Sequence, residues 1–392
     1  MRMLDEALSG QHSEAQRALS LPFEAEALLA GLRPWVECES PTFDPAAVNR
    51  MMSLAGRDLA ILGARIERIP GRMGLSDCIR ARFPHPDSDG DGEGGILVLA
   101  HLDTVHPVGT LGALPFRLDG NRCFGPGICD MKGGTFIAVQ AMAAIVQAGI
   151  ALRRPVTFLL TGDEEIGSPS TRDLIEAEAA RHEVVLVPEP ARPDGGVVTG
   201  RYAIARFNLR TTGRPSHAGA ALSEGRSAIR EMCRLVQAVE AMTTEAATFS
   251  VGVIRGGQWV NCVTTTCEAE ALSMARRQQD LDGAVQRMLG LAGGGEVGVE
   301  ITRGVTRPVW EPDATGLTLY RVAEALAQRL GFPLPHASAG GGSDGNFTGA
   351  LGIPTLDGLG VLGGGIHTLE EHLLVDSLVP RARLFAGLLA SV

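Results

Sequence analysis

Three stretches, GILVLAHLDTV (95–105), PVTFLLTG (155–162) and EVVLVPEP (183–190), run apolar without alternation until polar residues appear at their ends. Strands of that kind are buried on both faces, and sheets covered on both faces are built from parallel strands joined by helices. The chain supplies the connections. TFIAVQAMAAIVQAG (135–149) and STRDLIEAEAARH (170–182) have helical composition and spacing and lie between the strands. Upstream, apolar spacing is helical from Phe23 to Gly71, broken at SPTFDP, and IRARF (79–83) reads as a further strand before the loop PHPDSDGDGEG. The expectation is an α/β fold with a mostly parallel, doubly wound sheet.

From Tyr202 the texture changes. A strand (YAIARFNLRTTG), a helix over 221–246, two strands (FSVGVIRGG and CEAEALSMA), a helix (DLDGAVQRMLGLA) and a strand (EVGVEITRG) follow in turn. That βαββαβ order suffices for a small antiparallel sheet with helices on one face. Residues 201–308 are therefore read as an inserted α+β domain, with 1–200 and 309–392 forming the two parts of the main domain. The second part carries a helix (TGLTLYRVAEALAQRLG), the glycine-rich loop SAGGGSDGNF and a last helix after His367.

Charge and cysteine usage exclude several classes. A formal charge of −10, with no run of Lys or Arg, opposes nucleic-acid binding. Seven cysteines with no C-x-x-C pair indicate neither a disulfide frame nor a cysteine zinc knuckle, and a cytoplasmic location is expected. The N-terminal segment MRMLDEALSGQHSEAQRALS lacks the apolar core of a signal peptide or anchor, and no uninterrupted apolar run of about 18 residues follows, so no membrane is expected.

The polar ends of the apolar strands carry the chemistry. In AHLDTV, His101 and Asp103 stand two apart on a strand and share a face, so one can bind a metal while the other orients it. Asp130 sits between glycine turns in GPGICDMKGG, Glu164 and Glu165 stand in TGDEEIGS, Glu189 in VPEP, and His367 follows GLGVLGGG. In doubly wound sheets ligands gather at the carboxyl ends of the strands. Two histidines and three carboxylates suffice for two divalent ions if one carboxylate, most naturally Asp130, bridges them. Adjacent glutamates on a turn point apart, so one is free to act as a general base.

Those motifs, with GRPSHAGA (213–220) and GIHTLEEH (365–372), resemble the ordered series of the co-catalytic zinc exopeptidase family, which includes bacterial glutamate carboxypeptidases, succinyl-diaminopimelate desuccinylases and aminoacylases. The resemblance is strongest to the glutamate carboxypeptidase branch and covers the chain from about residue 25 onward. It implies that His101 and Glu189 hold one zinc, that Glu165 and His367 hold the other, and that Asp130 bridges them. Cobalt and manganese are the alternative ions. It makes Glu164 the general base and Asp103 the orienter of His101, and it implies a cis peptide after Asp130. The inserted domain would act as lid and homodimer interface, His217 would polarise the scissile carbonyl, and Asn261 and Arg307 would receive the free carboxylate of a small substrate.

After Asn261 the chain departs from the family pattern, with Met274 where an arginine is usual and Arg276 and Arg277 beyond it. Arg303 and Arg276 therefore stand beside Arg307 as candidates. The implied reaction is hydrolysis of an amide beside a free carboxylate, with a non-peptide C–N bond (arylamine or carbamoyl) as the alternative.

Other motifs compete. GGSDG (341–345), Asp357 and His367 follow the order of a serine-hydrolase triad through Ser343, although no strong strand precedes it. DSDGDG (87–92) opens like a calcium loop but lacks its final glutamate and reads as a solvated turn. The histidines of HTLEEH are five apart and would not share a helical face, so His372 reads as structural. A catalytically dead scaffold would have lost a ligand or the base, and none is missing.

Overall fold

The computed structural model describes residues 13–86 and 94–392. The first twelve residues and the DSDGDG turn lie outside the described residues. The chain divides into two compact units, one of residues 1–200, 312–339 and 343–392, the other of 201–311 and 340–342.

The larger unit is built on a six-stranded sheet in the order Arg65–Ile69, Cys78–Arg82, Val156–Thr161, Ile96–His101, Val184–Leu186, Thr355–Leu356. The last four strands run parallel, with His101 opposite Thr161, so the catalytic-type residues leave the sheet at one end. The first two strands are antiparallel additions.

Alternation of side chains assigns each face its own core. Ile96, Val98, Ala100, Val156, Phe158, Leu160, Val184 and Leu186 join the large core with Trp35, Met51, Phe136 and Phe385, whose helices cover that face. Leu97, Leu99, Leu159 and Val185 pack instead with Ile175 and Phe347. Burial on both faces is why these strands carry no polar alternation.

The segment Ile128–Gln147 is long and apolar enough to cross a membrane by length and composition, although polar residues interrupt it. It is 83% buried, and its helix Gly133–Gln147 packs in the large core.

Four points differ from the expectation. The helical reading up to Gly71 runs too far, because the helix ends at Ile61, Gly63 turns the chain at φ +96°, and Arg65–Ile69 is a strand. Its sequence RIERI puts Glu67 opposite Arg80, an edge strand defended by charge. The glycine-rich loop 338–347 is interrupted by structure at both ends, the strand His336–Ala339 and the helix Gly345–Ala350. A small antiparallel sheet, ordered Gly363–Gly364, His372–Leu374, Arg122–Phe124, Arg117–Asp119, was not anticipated at all.

The smaller unit is an antiparallel sheet in the order Ala247–Gly256, Thr266–Ala275, Ala203–Thr212, Gly298–Arg307, Gly293–Gly294. Alternate residues Ala203, Ala205, Phe207 and Leu209 face the helices Ala228–Glu240 and Gln278–Leu289. The first of these is shorter than the expected 221–246. Ser227 accepts a hydrogen bond from Arg230 N and starts the helix there, after a separate 3-10 turn at Leu222–Glu224.

Candidate metal centre

Strand Ile96–His101 delivers His101, 1% exposed, to the end of the parallel sheet. Its Nδ1 lies 3.0 Å from the backbone oxygen of Asp103 and 3.4 Å from Asp103 Oδ1. The carbonyl is thus the nearer acceptor, where the sequence pointed to the carboxylate. Donation from Nδ1 leaves a lone pair on Nε2. That atom is buried without a hydrogen-bond partner and faces Asp130 Oδ1 at 3.3 Å, Glu189 Oε1 at 3.7 Å and Glu164 Oε2 at 4.0 Å.

Asp103 uses its carboxylate elsewhere. Thr42 Oγ1 donates to it at 2.7 Å, and the backbone N–H groups of Glu164 and Glu165 reach it at 3.2 and 3.3 Å. One buried carboxylate therefore pins the turn that presents both glutamates. Thr42, in the SPTFDP loop, was not singled out in the sequence and has no motif that would have marked it.

On the other side His367, at φ +65°, points Nε2 at Asp130 Oδ2 (3.3 Å) and at Glu165 Oε2 (3.1 Å). Each oxygen of Asp130 thus faces a different histidine. Asp130 follows Gly127 at φ +68°, where a side chain would strike Thr104, and its peptide bond to Met131 is cis. Ligand atoms of His101, Asp130 and Glu165 lie within 4.8 Å of one another, as do those of His101, Glu164 and Glu189.

Of the three consecutive acids, Asp163 turns away. It accepts from Ser170 N at 2.7 Å, from Ser170 Oγ at 2.8 Å and from Thr171 Oγ1, closing the loop behind the glutamates.

The electrostatics are those of a cluster short of positive charge. Burial pushes Glu189 well above the ordinary carboxylate range, aided by the charge of Asp130. Burial raises Glu165 as well. Hydrogen bonds donated to Asp130 and Glu165 push His367 up to about 10. Burial opposes charge on His101, yet Asp103 and Asp130 hold its pKa well above the usual histidine value. Asp130 is also penalised by burial, but the two histidines hold it far below its usual value. The proton on His367 stands where a cation would compensate the same carboxylates. The orphaned His101 Nε2, the two-faced Asp130 and the mixed N/O donor set fit a pair of borderline divalent ions.

Ser343 does not make a triad. Its hydroxyl donates straight to Asp357 Oδ2 at 2.6 Å and accepts from Gly345 N at 2.9 Å in a fully buried position, while His367 engages Asp130 and Glu165. His372 Nδ1 meets its neighbour's carbonyl, Glu370 O, at 2.8 Å, and the ring packs 5.3 Å from Phe124.

His217, Asn261 and Arg307 belong to the smaller unit. His217 is exposed, and its Nδ1 accepts from Gly219 N and Ala220 N, both at 3.1 Å, which leaves the proton on Nε2. Asn261 lies alongside, its carbonyl accepting from Ala218 N at 2.9 Å. Arg307 is 4% exposed and packs beside Gly342. Arg303 is exposed and donates to Thr306 Oγ1 at 2.9 Å, whereas Arg276 stacks 5.1 Å over Tyr202.

Comparison with known proteins bears on this geometry. The profile described as Peptidase family M20/M25/M40 matches residues 97–391. Carboxypeptidase G2 of Pseudomonas sp. (strain RS-16) is 29% identical over 377 residues, 93% of this chain and 88% of that protein. N-acetyl-L-citrulline deacetylase of Xanthomonas campestris pv. campestris is 26% identical over 292 residues, 67% of this chain and 77% of the relative. Among solved structures, an M20 family metallo-carboxypeptidase from Sulfolobus solfataricus superposes with a TM-score of 0.76 at 15% identity, over 93% of this chain and 98% of that one, a likeness of fold.

Proposed function

This chain belongs to Peptidase family M20/M25/M40, and from that premise we propose that it hydrolyses an amide bond next to a free carboxylate, in a short peptide or an N-acyl amino acid, with Glu164 as general base. It is a metal-dependent hydrolase, and the observation that supports a two-ion centre is Asp130, each of whose carboxylate oxygens faces a separate histidine.

His101 and Glu189 would hold one ion, Glu165 and His367 the other, with Asp130 shared, and zinc is our assignment for both. When bound, such ions supply Lewis acidity to the carbonyl and to the attacking water. Glu164, whose Oε2 lies 4.0 Å from His101 Nε2, is the base we assign to take the water's proton and return it to the leaving amine. Asp103 keeps His101 in the tautomer that presents Nε2. His217, with its proton on Nε2, is the donor we assign to the developing oxyanion. Arg307 is our choice for the substrate carboxylate, which its planar guanidinium would match with two parallel hydrogen bonds. Exposed Trp259 and Val260, 74% and 102% accessible beside Asn261, favour a homodimer through the inserted unit. The free cysteines accord with a cytoplasmic setting.

The test is a panel of N-acyl amino acids, dipeptides and folyl-type glutamates, each paired with its carboxamide, run against arylamines and carbamoyl compounds. Hydrolysis of the free acids and loss on conversion to carboxamide is the expected result. Turnover of arylamines or carbamoyl compounds alone would replace the peptide reading.

A further inference from the structure

The loop presenting Asp130 and the turn presenting His367 are remote in sequence, yet one buried carboxylate joins them. Glu371 is 1% exposed. Its Oε1 accepts from Cys129 N at 2.9 Å and from Asp130 N at 3.0 Å, and its Oε2 accepts from Gly127 N at 3.1 Å and faces His106 Nε2 at 2.6 Å. The backbone of Glu371 closes the turn behind His367, its N–H donating to Thr368 O and its carbonyl accepting from Gly125 N, both at 3.3 Å. The small antiparallel sheet ties the same two segments, with His372 opposite Phe124.

Resting on the two-ion reading above, we infer that Glu371 is the positioning residue of the His367 side, holding the bridging Asp130 and His367 at the spacing an ion requires. It stands four residues after one ligand and bonds the backbone N–H of the other. Asp103 has a comparable place, lying two residues after His101 and bonding the backbone N–H groups that present the base Glu164 and the ligand Glu165. The role needs a carboxylate. Two donors converge on each oxygen, and an amide would turn an NH₂ donor towards one of those pairs. Such outer partners commonly govern metal affinity as much as fold.

The experiment compares wild type, Glu371→Gln and His106→Ala, stripped by chelator and titrated with Zn²⁺ by calorimetry, with metal-free melting temperatures recorded alongside. In Glu371→Gln the second equivalent should weaken about 10–100-fold, and by more than the first, which shares Asp130 with it but not His367. His106→Ala, which removes one donor and leaves the carboxylate, should show a smaller loss confined to the second equivalent, and it carries the test if Glu371→Gln does not fold. Wild-type affinity for both equivalents in the folded variants would overturn the inference. So would an equal weakening of both accompanied by a lower metal-free melting temperature. A wild-type chain that takes up fewer than two ions would instead remove the function proposed above.

Discussion

Glu164 and Glu165 are neighbours in sequence with their backbone N–H groups on one carboxylate, yet their side chains reach different histidines. Replacing Glu164 by Gln keeps the size and removes the base. Turnover should fall by about 10²–10⁴ with metal content and melting temperature unchanged, as read by steady-state kinetics and elemental assay. Activity near wild type would remove Glu164 from its role. His367 gives the pH dependence. In the metal-free chain its pKa rises from 6.5 to about 10, so its pairing with Asp130 and Glu165 contributes stability fully below about 6.5 and loses it as pH climbs towards 10. Metal uptake has the opposite sign, because an ion on the His367 side must displace the proton that His367 holds. Affinity should therefore rise with pH between 6 and 8 by about tenfold per unit for each proton displaced, and protons should appear in a pH-stat titration. Affinity independent of pH would contradict the ligand assignment.

Elements set these residues at their spacing, and glycines let the elements approach. Helix Gly133–Gln147 begins against the end of strand Val184–Leu186, where a Cβ on Gly134 would sit 1.8 Å from Pro188 O, one residue before Glu189. Gly134→Ala should lower stability by at least about 1–3 kcal/mol and weaken the ion on the Glu189 side, measured by denaturant midpoint and metal titration. An unchanged midpoint would show that the helix has room to shift. The buried strands were legible because two covered faces force continuous apolar runs, and the two helices of the smaller unit were legible from their spacing. The edge strand Arg65–Ile69 was not, since its charged residues carry no burial signal, and neither were the two- and three-residue strands of the small sheet, too short to show a period. The ligands were visible as polar residues ending apolar runs. Thr42 and Glu371 were not, because each acts on backbone or a carboxylate brought near only by the fold.

On the scale of the whole molecule, the fold gathers five carboxylates and two histidines from distant parts of the chain into one cluster, buried at His101, Asp103 and Glu189 and open to solvent at His367, counting Asp103, Asp130, Glu164, Glu165 and Glu189 with His101 and His367. Desolvated acids at that density need compensation, either by protons, as in the metal-free chain, or by cations. The larger unit supplies all of these groups by itself, while His217, Asn261 and Arg307 lie in the smaller unit. The most direct measurement is a crystal structure of catalytically active protein with anomalous maps at the absorption edge of the metal found by elemental assay. Two peaks per chain, one touching His101 and Glu189, the other Glu165 and His367, with Asp130 between them, is the predicted result. An active enzyme with no peak there, or with a single ion that does not touch Asp130, would contradict the account.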